Sequence, residues 1–343
     1  MHENMLVKHF AGSIAYGTNL PTSDVDYRGV FCADPVNVRT PFFVVREVED
    51  VSEEDTKLHE LAHFMKLCLD CNPNIIETLW VDDADIVVRT PAYDLLRENR
   101  YKLLSSKIAF TTSGYAIAQL KRIKGHNKWI NNPQPEAKPQ QKDFVSLVQW
   151  FGEEKVIPRD FQLPQSHFRL VPYGSETYGL YTAGDKTAYN LGDGSLNTQF
   201  VGERQDLDAP LAIIKFNKDE WKLACDNHTN FWTWKNNRNE ARSELEHQHG
   251  YDTKHAMHLV RLMRMGVEAL RDGEIVVKRP DAQELLDIRH GSMTYEQVVD
   301  YAEAMDKEMR EVWYKKTALP KKPDITFAAR LLMDVQDLVW TNG

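Results

Sequence analysis

The stretch Ala11-Gly-Ser-Ile-Ala-Tyr-Gly-Thr-Asn-Leu-Pro-Thr-Ser-Asp-Val-Asp-Tyr-Arg-Gly-Val-Phe31 is the most informative part of this 343-residue chain. Asp24 and Asp26 stand two apart where a strand is predicted to begin, so their side chains should project from the same face. Upstream, Gly12 and Ser13 are typical of a tight turn whose backbone amides and hydroxyl face a phosphate. The simpler alternative is a glycine turn followed by two surface aspartates.

The combination of this turn with two carboxylates favours phosphate chemistry assisted by metal ions. Two carboxylates so close repel each other unless cations lie between them, and hard divalent cations take oxygen ligands of this kind. A turn that binds phosphates beside carboxylates that hold Mg²⁺ or Mn²⁺ is what nucleotidyl transfer requires. One metal activates the attacking hydroxyl, and the other stabilises the pyrophosphate leaving group.

Around this stretch, the N-terminal hundred residues are predicted to alternate strands with turns. Strands are expected at Leu6–Phe10, Asp24–Cys32 and Pro41–Val51, where β-branched and aromatic residues recur between turn residues. Ser52-Glu-Glu-Asp55 resembles a capping box and predicts a helix reaching about Asp70. The apolar stripe of that helix would contain Leu58, Leu61, Ala62, Met65 and Leu69.

The remainder of the chain divides into helical and β-rich parts. A helix is predicted near Ser105–Lys124, followed by a Pro-rich and Gln-rich linker over residues 131–141. Residues 157–216 are β-like, with an Asp193-Gly194 turn, and the chain is predicted to be helical from about Trp221 to its end. In the C-terminal part, the expected helix caps are Asp252, Gly273, the box Thr294-Tyr-Glu-Gln297, and Asp324.

The sequence resembles the DNA polymerase beta-like nucleotidyltransferase superfamily. Gly12-Ser-x-x-Tyr16-Gly-Thr followed by Ser23-Asp-x-Asp-Tyr-Arg-Gly29 is similar to a branch of predicted nucleotidyltransferases associated with RNA ligases and RNA repair. The likeness continues in three further segments: Asn72-Pro-Asn-Ile-Ile-Glu77-Thr-Leu-Trp80, Gly250-Tyr-Asp-Thr-Lys254-His-Ala-Met-His258-Leu-Val-Arg261-Leu and Asp287-Ile-Arg-His-Gly291.

The resemblance implies an α+β fold with a mixed N-terminal sheet, a helical C-terminal lobe and a β-rich insert. The implied segments are a catalytic domain at 1–100, a helical segment and linker at 101–150, the insert at 151–225 and a helical domain at 226–343. The resemblance also implies that an NTP is bound by these residues: Gly12, Ser13, Tyr16, Thr18, Ser23, Lys254, His258 and Arg261.

For the metal, the resemblance implies Asp24 and Asp26 as ligands together with a third carboxylate further along the chain. We expect this third carboxylate to be Asp55, with Glu60 as second choice, just before or at the start of the helix that precedes Asn72. The first two aspartates would hold the metals, and Asp55 would complete the site and help to activate the nucleophile.

His59-Glu-Leu-Ala-His63 is a literal match to the zinc metalloprotease motif. On a helix, this spacing would place both imidazoles on one face with Glu60 as general base, and Glu77 could supply a third ligand. No Gly-x-x-His extension follows, so the metzincin version fails. A zinc protease is therefore a remote alternative, and both histidines are expected to be partly exposed helix residues or residues that support a neighbouring site. Cys68-Leu-Asp-Cys71 has no second pair, which favours inert core thiols.

Two basic segments are candidates for binding anions. The helix predicted at residues 254–271 places Lys254, His258 and Arg261 on one face, opposite an apolar face. In the first half of the chain, Lys121, Lys124, His126 and Lys128 precede Trp129, and this mixture of cations and an aromatic ring is typical of a local nucleic-acid surface. Solvated helix faces are the alternative for both.

Composition limits the class of protein. With 42% hydrophobic and 27% charged residues, the chain is typical of a globular protein with a substantial core. No apolar run is long enough to span a bilayer, and the N-terminus lacks the pattern of a signal peptide, so we expect a cytoplasmic protein that does not bind membranes. The net charge of −9 requires any polyanion site to be a local basic patch.

The expected function is metal-dependent transfer of a nucleoside monophosphate from an NTP to an acceptor hydroxyl, with RNA (or DNA) 3′ ends favoured. The net charge leaves AMPylation of a protein or small-molecule hydroxyl open. A nucleotide-binding regulator without catalysis is an alternative of a different class.

Overall fold

The computed structural model describes residues 4–50, 55–151, 168–182, 195–196, 209–238 and 240–342. These residues form two compact units, one drawn from Met1–Asn131 with Glu240–Gly343 and the other from Asn132–Asn239. The chain leaves the first unit at the beginning of the predicted linker. Each unit has its own sheet, and the fold is mixed α/β, as expected from the sequence.

The sheet of the first unit has the order β3-β4-β2-β1-β5 among the described residues. Its strands are β1 (Met5–Phe10), β2 (Tyr27–Phe31), β3 (Glu47–Asp50), β4 (Thr56–Glu60) and β5 (Ile86–Arg89). The pair β2/β4 is parallel, whereas the other pairs are antiparallel, so the sheet is mixed. The three predicted strands are present: β1 begins one residue earlier than expected, β2 is shorter than expected at both ends, and β3 begins later than expected. Strands β4 and β5 were not predicted.

The helices of the first unit pack mainly in the large core cluster, whereas Val38 of one short helix packs in the small cluster with Phe31 and Leu58. In the N-terminal part they are α1 (Gly12–Tyr16), α2 (Pro35–Arg39), α3 (Leu61–Leu69), α4 (Pro73–Ile76), α5 (Pro91–Glu98), α6 (Arg100–Leu103) and α7 (Ile108–Asn131). Short 3₁₀ turns occupy Glu77–Trp80 and Asp83–Asp85.

Among the described residues of the second unit the helix is α8 (Lys218–Asn236), and the C-terminal part of the first unit is mostly helical. Its helices are α9 (Glu240–His249), α10 (Thr253–Asp272), α11 (Ala282–Arg289), α12 (Tyr295–Glu308), α13 (Tyr314–Lys316) and α14 (Ile325–Asn342), with a π-helical turn at Met309–Trp313. The predicted caps are confirmed. Asp252 accepts from the His255 N–H, Gly273 ends α10 with φ of 75°, and Thr294 with Gln297 forms the capping box. Asp324 accepts from the Phe327 N–H at the start of α14.

The helix predicted from Ser52 to Asp70 is wrong in its first half. Residues 51–54 of the proposed capping box lie outside the described residues, and Thr56–Glu60 is the strand β4. Leu58 packs with Phe31 on the opposite face of the sheet from the main core. Helix α3 begins only at Leu61, and its N-cap is Glu60, whose carboxylate accepts from the Ala62 and His63 N–H groups. The hydrogen bonds of the parallel pair β2/β4 outweigh the helical periodicity of the apolar residues.

The second unit contains a four-stranded antiparallel sheet with the order β6-β9-β8-β7. Its strands are β6 (Val145–Trp150), β7 (Phe168–Gly174), β8 (Thr177–Thr182) and β9 (Ala212–Phe216), and a 3₁₀ turn occupies Gln141–Phe144. The β-rich character predicted for this region is confirmed, although β6 falls in the segment expected to be helix and linker. The predicted Asp193-Gly194 turn lies outside the described residues.

Two further expectations concern the environment of the chain. All four cysteines are free thiols, and Cys68 and Cys71 are fully buried, as expected for core thiols. Among the described residues, no helix combines the length and the apolar character that crossing a bilayer demands.

Helices α7 and α10 pack against each other in the main core. The apolar face predicted for α10 is buried: Ala256, Leu259, Val260, Met263, Val267 and Leu270. Gly266 permits a close approach to α7, because a Cβ atom there would lie 2.5 Å from Thr112 Oγ1 and 2.7 Å from Met309 Cε. This packing fixes the relative position of the two helices that line the cleft described below.

We expect Gly266→Ala to reduce the free energy of unfolding by about 1–3 kcal/mol, since overpacking a core costs more than the gain in helix propensity. Gly114→Ala on α7 is the matched control, because a Cβ atom there meets nothing within 4 Å. It should leave stability unchanged or raise it by up to about 1 kcal/mol. Urea denaturation measures both changes, and equal stability of the two variants would contradict the close helix packing.

His9 on β1 predicts a pH dependence of stability. Its Nδ1–H donates to the Phe10 carbonyl (2.7 Å), so Nε2 accepts from the Thr78 hydroxyl (3.2 Å) and the ring is neutral. Burial lowers the pKa of His9 to about 4. Because the unfolded chain takes up this proton near pH 6.5, the free energy of unfolding should decrease as the pH falls from 6.5 towards 4. This single group should contribute about 1.4 kcal/mol per pH unit.

Denaturation of the wild type and His9→Gln across this pH range tests the assignment. The variant should lose that part of the slope, whatever its stability at pH 7. An identical slope in both proteins would show that His9 does not titrate in this way.

Candidate active site

The turn after β1 touches the first aspartate pair directly. Gly12 opens α1 with φ of 58°, and a Cβ atom there would lie 2.6 Å from Asp26 Oδ2. The Ala11 N–H also donates to the Asp26 carbonyl (2.8 Å). Glycine is therefore required at this position by both the left-handed conformation and the close approach of the carboxylate.

The third carboxylate comes from the neighbouring strand. In the parallel pair β2/β4, Tyr27 is opposite Thr56, and the Tyr27 N–H donates to the Asp55 carbonyl (3.1 Å). The residues immediately before the two strands, Asp26 and Asp55, therefore lie side by side at one edge of the sheet. The structure brings Asp55 to the aspartate pair, but it does so at the start of a strand rather than at the start of a helix.

The charges of this group are mutually unfavourable without a cation. Burial raises the pKa of Asp26, and the negative charges of Asp55 and Asp24 raise it further, whereas Arg28 and Lys254 oppose the shift. A cation among these carboxylates would relieve the repulsion. Carboxylate oxygens are the ligands that Mg²⁺ and Mn²⁺ prefer, so Asp24, Asp26 and Asp55 are the candidate ligands by their chemistry, although their oxygens are not all gathered within 4.8 Å of one another.

A cationic cleft of about 330 Å³ lies beside Gly12 in the same unit. Helices α7 and α10 each contribute one row of side chains with helical spacing. The row on α7 is Tyr115, Gln119 and Arg122, and the row on α10 is Lys254, His258 and Arg261. Arg28 and Asn74 also line the cleft. The face predicted for α10 is thus confirmed as a cleft wall, and four cationic side chains converge on a space suited to phosphates.

Arg261 is held by a buried network. Its guanidinium lies 3.7 Å from the centre of the Tyr16 ring and its Nη1 lies 3.6 Å from Glu77 Oε2. The Tyr16 hydroxyl donates to Glu77 Oε1 (2.7 Å). Arg28 lies 3.9 Å from the same carboxylate oxygen and donates to the Asn74 carbonyl. Tyr16 is therefore placed beneath the cleft, where it orients Arg261 instead of facing solvent.

His258 is neutral in this environment. Burial lowers its pKa to about 3, and the positive charges of Arg261 and Lys254 act in the same direction. An uncharged imidazole at the cleft wall can accept or donate a hydrogen bond without adding to the positive charge.

Three predicted nucleotide-binding residues lie outside the lining of the cleft. Ser13 follows Gly12 in α1, and its carbonyl accepts from the Thr18 N–H (2.8 Å). Thr18 is fully buried. Ser23 Oγ accepts from the Leu20 N–H (2.9 Å), which shapes the loop leading to Asp24. Thr18 and Ser23 thus stabilise the loop between the turn and the aspartates.

The four basic candidates of α7 divide between two faces. Lys121, Lys124 and Lys128 are exposed and, at spacings of three and four, share one face of the helix. His126 lies on another face, half-buried, where its Nδ1 is 3.2 Å from Asp252 Oδ2. The structure therefore brings the lysines together and separates His126 from them.

The arrangement of the zinc protease motif differs from the sequence prediction. His59 and Glu60 end β4, whereas His63 lies on α3. The Glu60 carboxylate accepts hydrogen bonds from the Ala62 and His63 N–H groups at the start of α3. Glu60 Oε2 therefore caps α3, whereas Oε1 has no hydrogen-bond partner among the described residues. Glu60 lies at the end of β4 remote from Asp55, so it is not grouped with the aspartates. Glu77 belongs to the Tyr16 network and is not grouped with the two histidines.

Sequence reasoning missed several side chains of the cleft: Arg28, Asn74, Tyr115, Gln119 and Arg122. Arg28 and Asn74 stand inside the segments already singled out. The α7 residues have the same four-and-three spacing as Lys254, His258 and Arg261, but their role depends on which helix faces which. That pairing is a tertiary property.

Part of the chain matches a known protein family, and nearly all of it is similar to an uncharacterized phage protein. The chain is 23% identical, over 94% of its own length and 94% of the other, to an uncharacterized 38.9 kDa protein in the nrdC–mobD intergenic region of Enterobacteria phage T4. No solved structure matches the chain significantly. Residues 2–134, which contain Gly12, the three aspartates, Arg28 and Arg122, match the RNA repair pathway DNA polymerase beta family (RlaP), and the resemblance inferred from the sequence is confirmed for this segment.

Proposed function

We propose that this protein is a metal-dependent nucleotidyltransferase that adds a nucleoside monophosphate from an NTP to the 3′ hydroxyl of RNA during repair. One observation carries the proposal: Asp26 lies against the glycine turn and beside Asp55, at the border of a cleft with four cationic side chains. The description of the matched family as an RNA repair pathway polymerase beta family supports the reaction class and the RNA acceptor.

In the proposed reaction, the acceptor oxygen attacks the α-phosphorus of the NTP. A new oxygen–phosphorus bond forms, the bond from the α-phosphorus to the bridging oxygen breaks, and pyrophosphate leaves. The proton of the hydroxyl passes to a carboxylate, for which Asp55 is the candidate, or to water. Mg²⁺ or Mn²⁺ held by the three aspartates would supply Lewis-acid stabilisation of the charge that develops on the phosphoryl oxygens.

The cleft residues have complementary roles in this proposal. Arg28, Arg122, Lys254 and Arg261 neutralise the triphosphate, and preorganised cations of this kind cost little reorganisation in the transition state. Gly12 allows the Asp26 carboxylate to approach the turn, because a side chain at this position would collide with it. Tyr16 and Glu77 keep Arg261 oriented, and His258 offers a neutral hydrogen-bonding group.

A separate feature, the exposed lysines of α7, supports a nucleic acid as the acceptor. The exposed lysines of α7 form a local basic face on a chain with a net charge of −9. Such a face is suited to the phosphates of a nucleic-acid strand. Transfer to a protein or small-molecule hydroxyl would need no such face, so AMPylation becomes an outcome of the tests below.

Asp26→Asn and Asp24→Asn should each reduce nucleotidyl transfer by at least about 100-fold, because each removes a charge from the metal site. The measurement uses the purified protein, each α-labelled NTP, Mg²⁺ or Mn²⁺ and a pool of RNA and DNA oligonucleotides. Label should appear on RNA with the wild type. Calorimetry of NTP binding accompanies the assay.

Asp34→Asn is the matched control, since Asp34 is exposed and lies outside the site. It should transfer at the wild-type rate. Label on protein would replace the RNA acceptor by AMPylation. NTP binding with no transfer to any acceptor would favour a regulator, and wild-type activity in Asp26→Asn would refute the assigned metal site.

Replacing Lys121, Lys124 and Lys128 together by Gln should raise the apparent KM for RNA several-fold while leaving NTP affinity unchanged. Each lost phosphate contact should also reduce the slope of log affinity against log salt by up to about 1. RNA titrations at several salt concentrations measure both effects.

The control for this change replaces three other exposed lysines of the first unit, Lys307, Lys315 and Lys316, by Gln. The net charge changes equally, so a purely global effect would alter both variants alike. A specific basic face on α7 requires that only the first triple variant weakens RNA binding.

A further inference from the structure

Glu47, His59 and His63 form a second group of potential metal ligands in the first unit. One ligand atom from each lies within 4.8 Å of the other two. Glu47 on β3 is the direct cross-strand partner of His59 on β4, and His63 follows in the first turn of α3. The group is thus assembled from two strands and a helix, and it does not depend on the helix that the His-x-x-x-His spacing predicts.

The position of His59 points to a missing ligand. Its side chain is 5% exposed, and neither ring nitrogen has a hydrogen-bond partner among the described residues. The nearest acceptor, Glu47 Oε2, is 3.7 Å from Nδ1, which is too long for a hydrogen bond. A buried imidazole with two unsatisfied nitrogens is costly, and a metal bound at one nitrogen would remove part of this cost.

The histidine is also in the protonation state that metal binding requires. Burial and the positive charge of Arg28 lower the pKa of His59 to about 4, so the ring is neutral at pH 7 and can offer a lone pair. Neutral imidazole is a ligand for zinc-type transition metals, whereas Mg²⁺ and Ca²⁺ prefer sites made only of oxygen.

We propose that Glu47, His59 and His63 bind a divalent transition-metal ion of the Zn²⁺ type, which fastens the edge strand β3 to β4 and to the start of α3. Two histidines and one glutamate are an established zinc ligand set, with water completing the tetrahedron. Ligand atoms in such a site lie on the order of 3.4 Å apart, given metal–ligand distances of about 2.0–2.1 Å. The partly exposed side chains of Glu47 and His63 can turn by the small amount needed.

The local charges permit this binding. Lys57 Nζ lies 3.1 Å from Glu47 Oε1 and 3.4 Å from Glu49 Oε1. It can therefore retain its ion pair with Glu49 when the Glu47 carboxylate turns to the metal. Arg28 remains engaged with Glu77 and the Asn74 carbonyl.

The proposed ion is distinct from the proposed catalytic metals. His59 is four residues along β4 from Asp55, or roughly 13 Å. Glu60, which a zinc protease would use as general base, accepts hydrogen bonds from the Ala62 and His63 N–H groups at 2.7 and 3.1 Å.

Calorimetric titration of Zn²⁺ into the chelator-stripped protein, with excess Mg²⁺ present, tests the proposal. Glu47→Gln and His63→Gln should each lower Zn²⁺ affinity at this site by at least about tenfold, or lose one equivalent altogether. Co²⁺ is a second probe, and its visible absorption with nitrogen ligation should weaken in His63→Gln. Zn²⁺ should raise the melting temperature of the wild type but not of these variants.

Glu49→Gln is the matched control, because Glu49 lies on the same strand and also contacts Lys57 but is not part of the group. It should bind Zn²⁺ like the wild type, and so should Asp24→Asn/Asp26→Asn, which separates this site from the proposed catalytic one. The test does not rely on His59, whose burial makes its variants prone to unfolding. Unchanged Zn²⁺ binding in Glu47→Gln and His63→Gln, or no binding by the wild type, would overturn the proposal.

Discussion

The parallel register between β2 and β4 is the constraint on which the candidate site depends. Tyr27 opposite Thr56, with the Tyr27 N–H bonded to the Asp55 carbonyl, places Asp26 and Asp55 next to each other. Since successive residues of a strand face opposite sides of a sheet, a shift of one residue in β4 would turn Asp55 away from the aspartate pair. The proposed metal site therefore depends on backbone hydrogen bonds as much as on the carboxylates themselves.

Around this edge of the sheet lie two groups of like charges, one of carboxylates and one of cations. The carboxylates repel each other, and the cations of the cleft do the same. Partial burial strengthens the repulsion at Asp26, because the interior screens charge less than water does, whereas Asp24 and Asp55 are exposed. The Tyr16–Glu77–Arg261 network provides internal compensation on the cationic side. Divalent cations and a triphosphate would neutralise the rest, which is why the geometry favours a ligand carrying both phosphate and metal.

The His-x-x-x-His segment illustrates how one motif can have different meanings in different structures. On a continuous helix, the glutamate between the histidines would face the metal as a base. Here the chain changes from strand to helix at Glu60, and the glutamate becomes an N-cap. The two histidines still approach each other, but their third partner, Glu47, comes from β3, and no local pattern shows that this strand pairs with β4. The two histidines can therefore share a metal site with Glu47, although the continuous helix of the protease motif is not formed.

The sequence alone determined the features that depend on local chemistry. The glycine turn, the aspartate pair, the caps of α10, α12 and α14, and the basic face of α10 are encoded within a few residues, because capping, turn conformation and helical spacing are short-range effects. The strand β4 was misread as helix, since apolar residues at three-and-four spacing fit both readings until a partner strand is known. Only the tertiary structure brought Asp55 beside Asp26, placed α7 opposite α10 and sent Tyr16 beneath the cleft. These arrangements depend on sheet register and helix packing between segments that are distant in sequence.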